Sequence, residues 1–453
     1  MNAGIGVEIA SGKRSLALLV AGMPLLLAVF GWLAFARRHW LAFAPFVLAL
    51  LVGPLAHRLP GTGGTALYPS DIVLALAFGG WLVSHLVQPA DTPRWPRTFV
   101  LSWPFVLVAL TILLGVLRGH ARYGTNYLSE PTRFFLYAGV AGAIAGMTAK
   151  EAYRGLVVVF YAGTAVQTIL GLYHLASGTS QTASAALSTG GPRALALSTA
   201  MYLAGALILA LLNVELDRGG RRQALHLVVA GLAAFDVIIS LGRTTFAALA
   251  VLIPVMILAL RHTRRAVVGF VPLLLPVLVL LVLVVVQVRP SLPSTLSHRL
   301  TGHVSNDTAV ITRQREYDAM IAGVGKELAL GVGFGRTVRW ISDDGSVQQS
   351  SGDLENSYLW ILAGGGLLAL SSVILLILAF FGDAIRRLRG AEPEARALLI
   401  FSMSLVFIFA VNALTGPLFS DPTFALGVWV ALLLPATVRR TPPPEAEEAH
   451  SVG

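Results

Sequence analysis

The chain is made of apolar runs of bilayer length set almost end to end, and that pattern decides most of what it can fold into. Runs near the about 17 to 25 residues that cross a hydrocarbon core stand at 15–35, 40–56, 70–88, 98–117, 134–149, 155–176, 195–213, 223–241, 244–261, 266–288, 357–381, 396–416 and 421–438. They make thirteen candidate spans, of which the second and fifth are short. Backbone N–H and C=O groups find no water in lipid, so such segments must satisfy themselves as helices. Charged residues form 12% of the chain, about half the share of a soluble domain, and mean hydropathy is +0.75. The expected fold is an all-α polytopic membrane protein with 12–13 transmembrane helices. No period of about 20–50 residues recurs along the runs, so neither a solenoid nor a duplicated transporter is indicated.

Alternate loops are short and basic, carrying Arg37/Arg38, Arg94/Arg97, Lys150/Arg154, Arg218/Arg221/Arg222, Arg261/Arg264/Arg265, Arg386/Arg387/Arg389/Arg396 and Arg439/Arg440. Loops of that kind stay in the cytoplasm, which sets the other loops outward. The net charge of +10 is spread over these pairs, and no patch for a nucleic-acid partner is formed. Cysteine is absent from the sequence, which excludes disulfides and thiolate metal sites. Around the first span, Lys13 and Arg14 nearly balance Arg37 and Arg38, and Ala34-Phe35-Ala36 behind it also fits a cleaved signal peptide.

One long polar interruption remains. The chain therefore divides into N-terminal transmembrane helices over 1–288, a large outward loop over 289–356, C-terminal transmembrane helices over 357–438, and a tail over 439–453 expected to be cytoplasmic and disordered. Within the loop, 311–328 reads as an amphipathic helix with Tyr317, Met320, Ile321, Val324 and Leu328 on one stripe. Arg313 falls on that stripe and is expected to point into the protein, whereas Arg315 points away. Glycine punctuation follows at Gly331, Gly333 and Gly335, and then Asp353-Leu354-Glu355-Asn356-Ser357-Tyr358 leads into an apolar helix containing Gly364-Gly365-Gly366. That triple is the mark of a close helix crossing. Asp343-Asp344-Gly345 reads as a turn rather than a metal site, and His298 and His303 as solvated side chains. On the outer rims of other spans stand Arg193, ahead of Ala194-Leu195, and Arg243, in Ser240-Leu241-Gly242-Arg243-Thr244.

The phrases Arg313-Gln314-Arg315-Glu316-Tyr317, Gly331-Val332-Gly333-Phe334-Gly335, Glu355-Asn356-Ser357-Tyr358-Leu359 and Gly364-Gly365-Gly366-Leu367, with Arg193 and Arg243 upstream, resemble the O-antigen ligase/polymerase superfamily over roughly residues 155–435. The resemblance implies a GT-C-like helical bundle in the bacterial inner membrane, with an active site facing the periplasm or cell exterior. It implies transfer of a glycan from an undecaprenyl diphosphate carrier to a glycan or lipid acceptor, in contact with membrane lipids and polysaccharide-assembly proteins. It places the carrier diphosphate on Arg193, Arg243 and Arg313, with Arg315 as a further candidate. Where the ligases carry a His before the Asn, this chain has Glu355, which favours a polymerase of repeat units over a ligase.

Chemistry read from the residues runs parallel to that. A leaving diphosphate needs cations, which Arg supplies in forked pairs without a metal or other cofactor. An acceptor hydroxyl needs a base, a role open to Glu355 if partly desolvated. The alternative for Glu355, and the preferred one for Asp353, is to complement or cap the first turn of the helix that follows. Asn356 belongs to the substrate-binding set. Tyr317 and Tyr358 suit either sugar stacking or interfacial anchoring. A lipid-linked-glycan transporter is the reading from another class, with Asp236 and His85 as the main ionisable residues inside spans.

Overall fold

The computed structural model describes residues 38–52, 68–87, 102–124, 129–144, 146–177, 195, 197–217, 220–240, 242–260, 264–265, 308–341, 347–350, 356–416, 418–419 and 421–438. Its helices are α1 (Pro69–Val87), α2 (Trp103–Tyr123), α3 (Ser129–Leu136), α4 (Ala149–Ser177), α5 (Leu197–Leu216), α6 (Gly220–Ser240), α7 (Arg243–Ala259), α8 (Thr308–Val324), α9 (Ser357–Leu388), α10 (Pro393–Asn412) and α11 (Pro422–Leu433). Six of them, α2, α4, α5, α6, α9 and α10, are long and apolar enough to cross a membrane, and α1, α7 and α11 are shorter apolar helices. Leu110 on α2, Leu258 on α7 and Leu378 on α9 are exposed, a surface suited to lipid and unsuited to water. The protein is a multi-pass membrane protein of helical fold.

Two expected spans are not continuous helices. Residues 40–56 begin as a 3-10 turn (Arg38–Phe43), one α-turn (Ala44–Val47) and a π-turn (Leu48–Val52). Residues 134–149 are divided among α3, a 3-10 turn (Tyr137–Val140) and Ala141–Ile144. The spans at 15–35 and 266–288, the signal-peptide reading and the tail lie outside the described residues. An addition to the helical plan is an antiparallel hairpin, β1 (Val338–Ile341) with β2 (Val347–Ser350), in register Val338 to Ser350. Asp343-Asp344-Gly345, between those strands, is not described.

At the centre stands α5, apolar on every side and therefore buried on every side. Its Tyr202 stacks on Phe424 of α11 at 5.9 Å between ring centres. Phe160 of α4 meets Phe46 and Phe401 of α10 edge-on or tilted. Trp429 is fully buried, and its indole N–H donates to the Phe134 carbonyl at 2.6 Å. Polar groups collect at the two ends of the bundle. At one end, Tyr153 donates to Asn213 (3.1 Å), Asn213 donates to Tyr161 (2.9 Å), Tyr161 meets His226 Nδ1 (2.9 Å) and His226 Nε2 meets Asp217 (2.8 Å). This chain joins α4, α5 and α6.

The opposite end is organised by a break in α9. At Gly366 the backbone turns to φ 73°, ψ −171°, a region closed to most L-residues, and the helical ladder is interrupted. The residues after α8 fill the gap. Val332 N donates to Ala363 O (2.8 Å) and Gly333 N to Gly364 O (3.2 Å), while Leu367 N and Leu368 N donate to Leu328 O (2.9 Å) and Ala329 O (3.3 Å). Phe334 N reaches Gly115 O of α2 at 3.1 Å, and the Phe334 ring lies against Trp360 at 4.7 Å. The triple glycine is thus a close approach, as expected, but of a loop to a broken helix as well as of α9 to α2. Gly115 and Gly119, four apart on α2, give the loop its seat. A Cβ at Gly119 would fall within the Phe334 carbonyl, and one at Gly115 would stand 2.8 Å from Gly364 O. Gly119→Ala is therefore expected to cost roughly 1–3 kcal/mol of stability as an overpacked contact. Gly79→Ala, with nothing within 4 Å, is expected to be neutral or slightly stabilising. Thermal unfolding of the two variants in lipid nanodiscs separates these outcomes.

Candidate active site

Three elements meet on the turn that follows α10. Asn412, at the end of α10 and buried, accepts the Thr244 hydroxyl at 2.8 Å and the Thr245 hydroxyl at 3.1 Å through Oδ1. Its Nδ2 donates to Ile408 O at 2.8 Å, which fixes the amide orientation. Thr415 donates to Thr244 at 3.2 Å. The first turn of α7, which begins with Arg243, is thereby tied to 412–415. The start of α9 docks on the same turn: Ser357 N donates to Ala413 O (2.9 Å), Ser357 Oγ to Gly416 O (2.8 Å) and Tyr358 OH to Ala410 O (2.9 Å). From α8, Tyr317 OH reaches Leu414 O at 3.4 Å, and Arg313 lies one helical turn before it on the same face.

Electrostatics follow from which helix ends these are. Both α7 and α9 present their N-termini to the turn, and neither has an acid in its first turn. At an N-terminus the peptide dipoles sum to a partial positive charge, and orphan N–H groups point outward. Asn356 caps α9 by accepting from Tyr358 N (3.0 Å) and Leu359 N (3.1 Å), whereas Gly242 gives α7 no side-chain cap. Two positive helix ends, with half-buried Arg243 and Arg313 on the elements around them, make this end of the bundle suited to an anion. Behind the turn the wall is apolar, with a cavity of about 30 Å³ lined by Phe134, Val373, Phe409, Ala410, Phe419 and Val428.

The neighbouring loop is held by charge. Glu327, just after α8, pairs with Arg118 and with Arg122 (2.8 Å) of α2, and Arg122 also donates to Val332 O at 3.3 Å. The hydrogen bond from Arg122, together with the charge of Arg122 and the pairing to Arg118, holds the Glu327 carboxyl below the usual carboxylate range.

The sequence-derived residues fall out as follows. Arg243, Arg313, Tyr317, Asn356 and Tyr358 are borne on elements that converge on 410–416. Arg193 and Glu355 lie outside the described residues, as does the side chain of His85. Arg315 is half-buried and donates to Ile341 O at 3.0 Å in an exposed hydrogen bond that joins α8 to the hairpin. Of the expected stripe, Met320 and Val324 are buried and Tyr317 is half-buried, whereas Ile321 and Leu328 are exposed and Glu316 is buried beside them. Contact with the hairpin and with α9 rotates the inward face by about one residue. Asp353 and Glu355 precede the α9 cap rather than occupying its first turn, since Asn356 is the cap. Asn412, Thr415 and Glu327 were missed from sequence, and Ser357 and the buried Glu316, which stood inside the quoted phrases, were given no role there.

No protein-family model matches the chain, and neither does any curated protein.

Asn412→Ala is expected to destabilise the fold by roughly 1–3 kcal/mol, since Thr244 and Thr245 lose a shared buried acceptor; unfolding in nanodiscs measures it. For Glu327 the sign follows from the lowered carboxyl: its contribution is present above the usual Glu range and is lost as pH falls through the lowered value. Wild type is thus expected to unfold at a higher temperature than Glu327→Gln at neutral pH. The gap narrows as pH falls below the ordinary Glu range, about 4.3, and a gap constant through that fall counts against the ion pairs.

Proposed function

We propose that this protein is a membrane glycosyltransferase that moves a glycan from an undecaprenyl diphosphate carrier to an acceptor hydroxyl during bacterial surface-polysaccharide assembly. It works in the inner membrane with the site facing the periplasm or cell exterior. One observation carries the reading: the positive ends of α7 and α9, with the elements that bear Arg243 and Arg313, meet on the 410–416 turn against an apolar wall. An isoprenoid diphosphate has that polarity, anionic at the head and greasy behind it. The sequence likeness to the O-antigen ligase/polymerase superfamily supports the same direction.

In this mechanism Arg243 and Arg313, joined by Arg193, bind the diphosphate and stabilise the charge that grows on it as the glycosidic bond to phosphate breaks. Glu355, next to the Asn356 cap, takes the acceptor proton while the hydroxyl oxygen forms the new bond. Tyr317 and Tyr358 position the surrounding backbone through Leu414 and Ala410. Neither step calls for a metal or another cofactor. The acid at position 355 favours repeat-unit polymerisation, with ligation of the finished chain as the competing outcome.

Arg243→Ala and Arg313→Ala are each expected to lower transfer roughly 10²–10³-fold, the scale of losing one charge-stabilising donor, with the protein still inserted. Arg315→Ala is expected to change transfer little, because that side chain serves the hairpin. Glu355→Gln removes the base at constant shape, and undiminished turnover would reduce Glu355 to a structural role. A deletion strain that accumulates single repeats on the carrier identifies a polymerase, and one that accumulates full-length carrier-linked chains identifies a ligase.

A further inference from the structure

One carboxylate, a turn before the end of α6, is buried between helices with one of its two oxygens unused. Asp236 of α6 has 0% exposure. Its Oδ2 accepts the Thr168 hydroxyl at 2.8 Å, but that hydroxyl has a single hydrogen, which it also directs at Thr164 O at 2.9 Å. Asp236 Oδ1 is buried and has no hydrogen-bond partner. On α5 the Thr199 hydroxyl, in a residue 1% exposed, is likewise buried with no partner.

The packing brings the helices that bear these groups together. A Cβ at Gly171 of α4 would stand 2.6 Å from Ile239 of α6 and 3.5 Å from Leu195, so those three positions are neighbours. Thr168 lies three residues before Gly171 and Asp236 three before Ile239, each about one helical turn, roughly 5 Å, in the same direction into the bundle; Leu195 precedes α5, whose first turn carries Thr199. Thr168 and Asp236 are in direct contact, and Thr199 stands on α5, the helix that packs against both α4 and α6.

Charge then limits what can accompany them. Residues 164–171 of α4, 199–206 of α5 and 232–240 of α6 contain no ionisable side chain besides Asp236 and Tyr202. Tyr202 is stacked on Phe424 of α11. An unaccompanied carboxylate in such surroundings is expensive. The donors are all oxygen, which suits a hard cation, and the single negative charge calls for a single positive one.

We propose that Asp236, Thr168 and Thr199 form a buried site for a monovalent cation, either a proton or Na⁺. The occupant joins α4, α5 and α6 seven residues before Arg243. The proposal does not depend on glycan transfer.

Thermal unfolding of the full chain in lipid nanodiscs tests it, with NaCl exchanged for choline chloride at constant ionic strength and repeated across pH. For a sodium site, Na⁺ raises the wild-type midpoint saturably by a few degrees, Asp236→Asn abolishes the rise and Thr199→Val shifts it to higher Na⁺. For a proton site, Na⁺ has no effect and the wild-type midpoint falls relative to Asp236→Asn as pH rises, because deprotonation leaves the carboxylate unbalanced. Parallel curves for wild type and Asp236→Asn against both Na⁺ and pH overturn the proposal. Should Asp236→Asn fail to fold, wild type and Thr199→Val are compared in the same titrations, and coincident responses overturn it equally.

Discussion

A backbone that leaves the helical path inside a membrane must find partners for its freed N–H and C=O groups within the protein, because lipid offers none. The break at Gly366 is where this molecule meets that demand. Two carbonyls above it and two amides below it are all taken by residues 328–333, whose own backbone is satisfied in the same act. The bonds require main chain to lie directly on main chain, which accounts for glycine at 331, 333, 364 and 366 and on the facing side of α2 at 115 and 119. Glu327 secures the same loop from its edge through Arg118 and Arg122. The short segment of α9 before the break, 357–365, is held at its lower end by this junction and at its upper end by residues 410–416.

That arrangement connects fold to site. A helix N-terminus attracts anions only if it is kept in place, and here the α9 start is fixed by Ser357 and Tyr358, the α7 start by Thr244 and Thr245. Asn412 serves both purposes, ending α10 and gripping α7. The arginines need not be close in sequence, because the turn after α10 collects the elements that bear them. Packing of the central α5 against α4, α6, α10 and α11 sets the height at which those ends arrive.

What could be read from the chain, and what could not, divides along the kind of interaction involved. Hydropathy locates α2, α4, α5, α6, α9 and α10, since a twenty-residue apolar run leaves little choice. It also overextends, because residues 134–149 are apolar enough to span yet break into short helices around the buried Tyr137 and Phe134. The arginines at 243 and 313 and Asn356 were legible from their phrases. The turn at 412–416 was not, since α8 and α9 meet it through main-chain carbonyls that any residue supplies, and its side-chain links, Asn412 and Thr415, reach Thr244 and Thr245 far away in sequence. Glycine at 364–366 announced close approach without saying to what. The face of α8 was misjudged because its partner is a hairpin whose strands of four residues, carrying Arg339, Gln348 and Gln349, lack a strong apolar alternation.

The seat for the loop has a consequence for how the protein is made. Arg118 and Glu327 are 209 positions apart, so α2 enters the bilayer long before its partner exists. At roughly 5–20 residues per second, the ribosome adds that stretch in about 10–40 s. The residues that fill the glycine furrow of α2 are made only after that interval, and α9 follows them. The contacts that close on Gly115 and Gly119 are thus among the last that the growing chain can make.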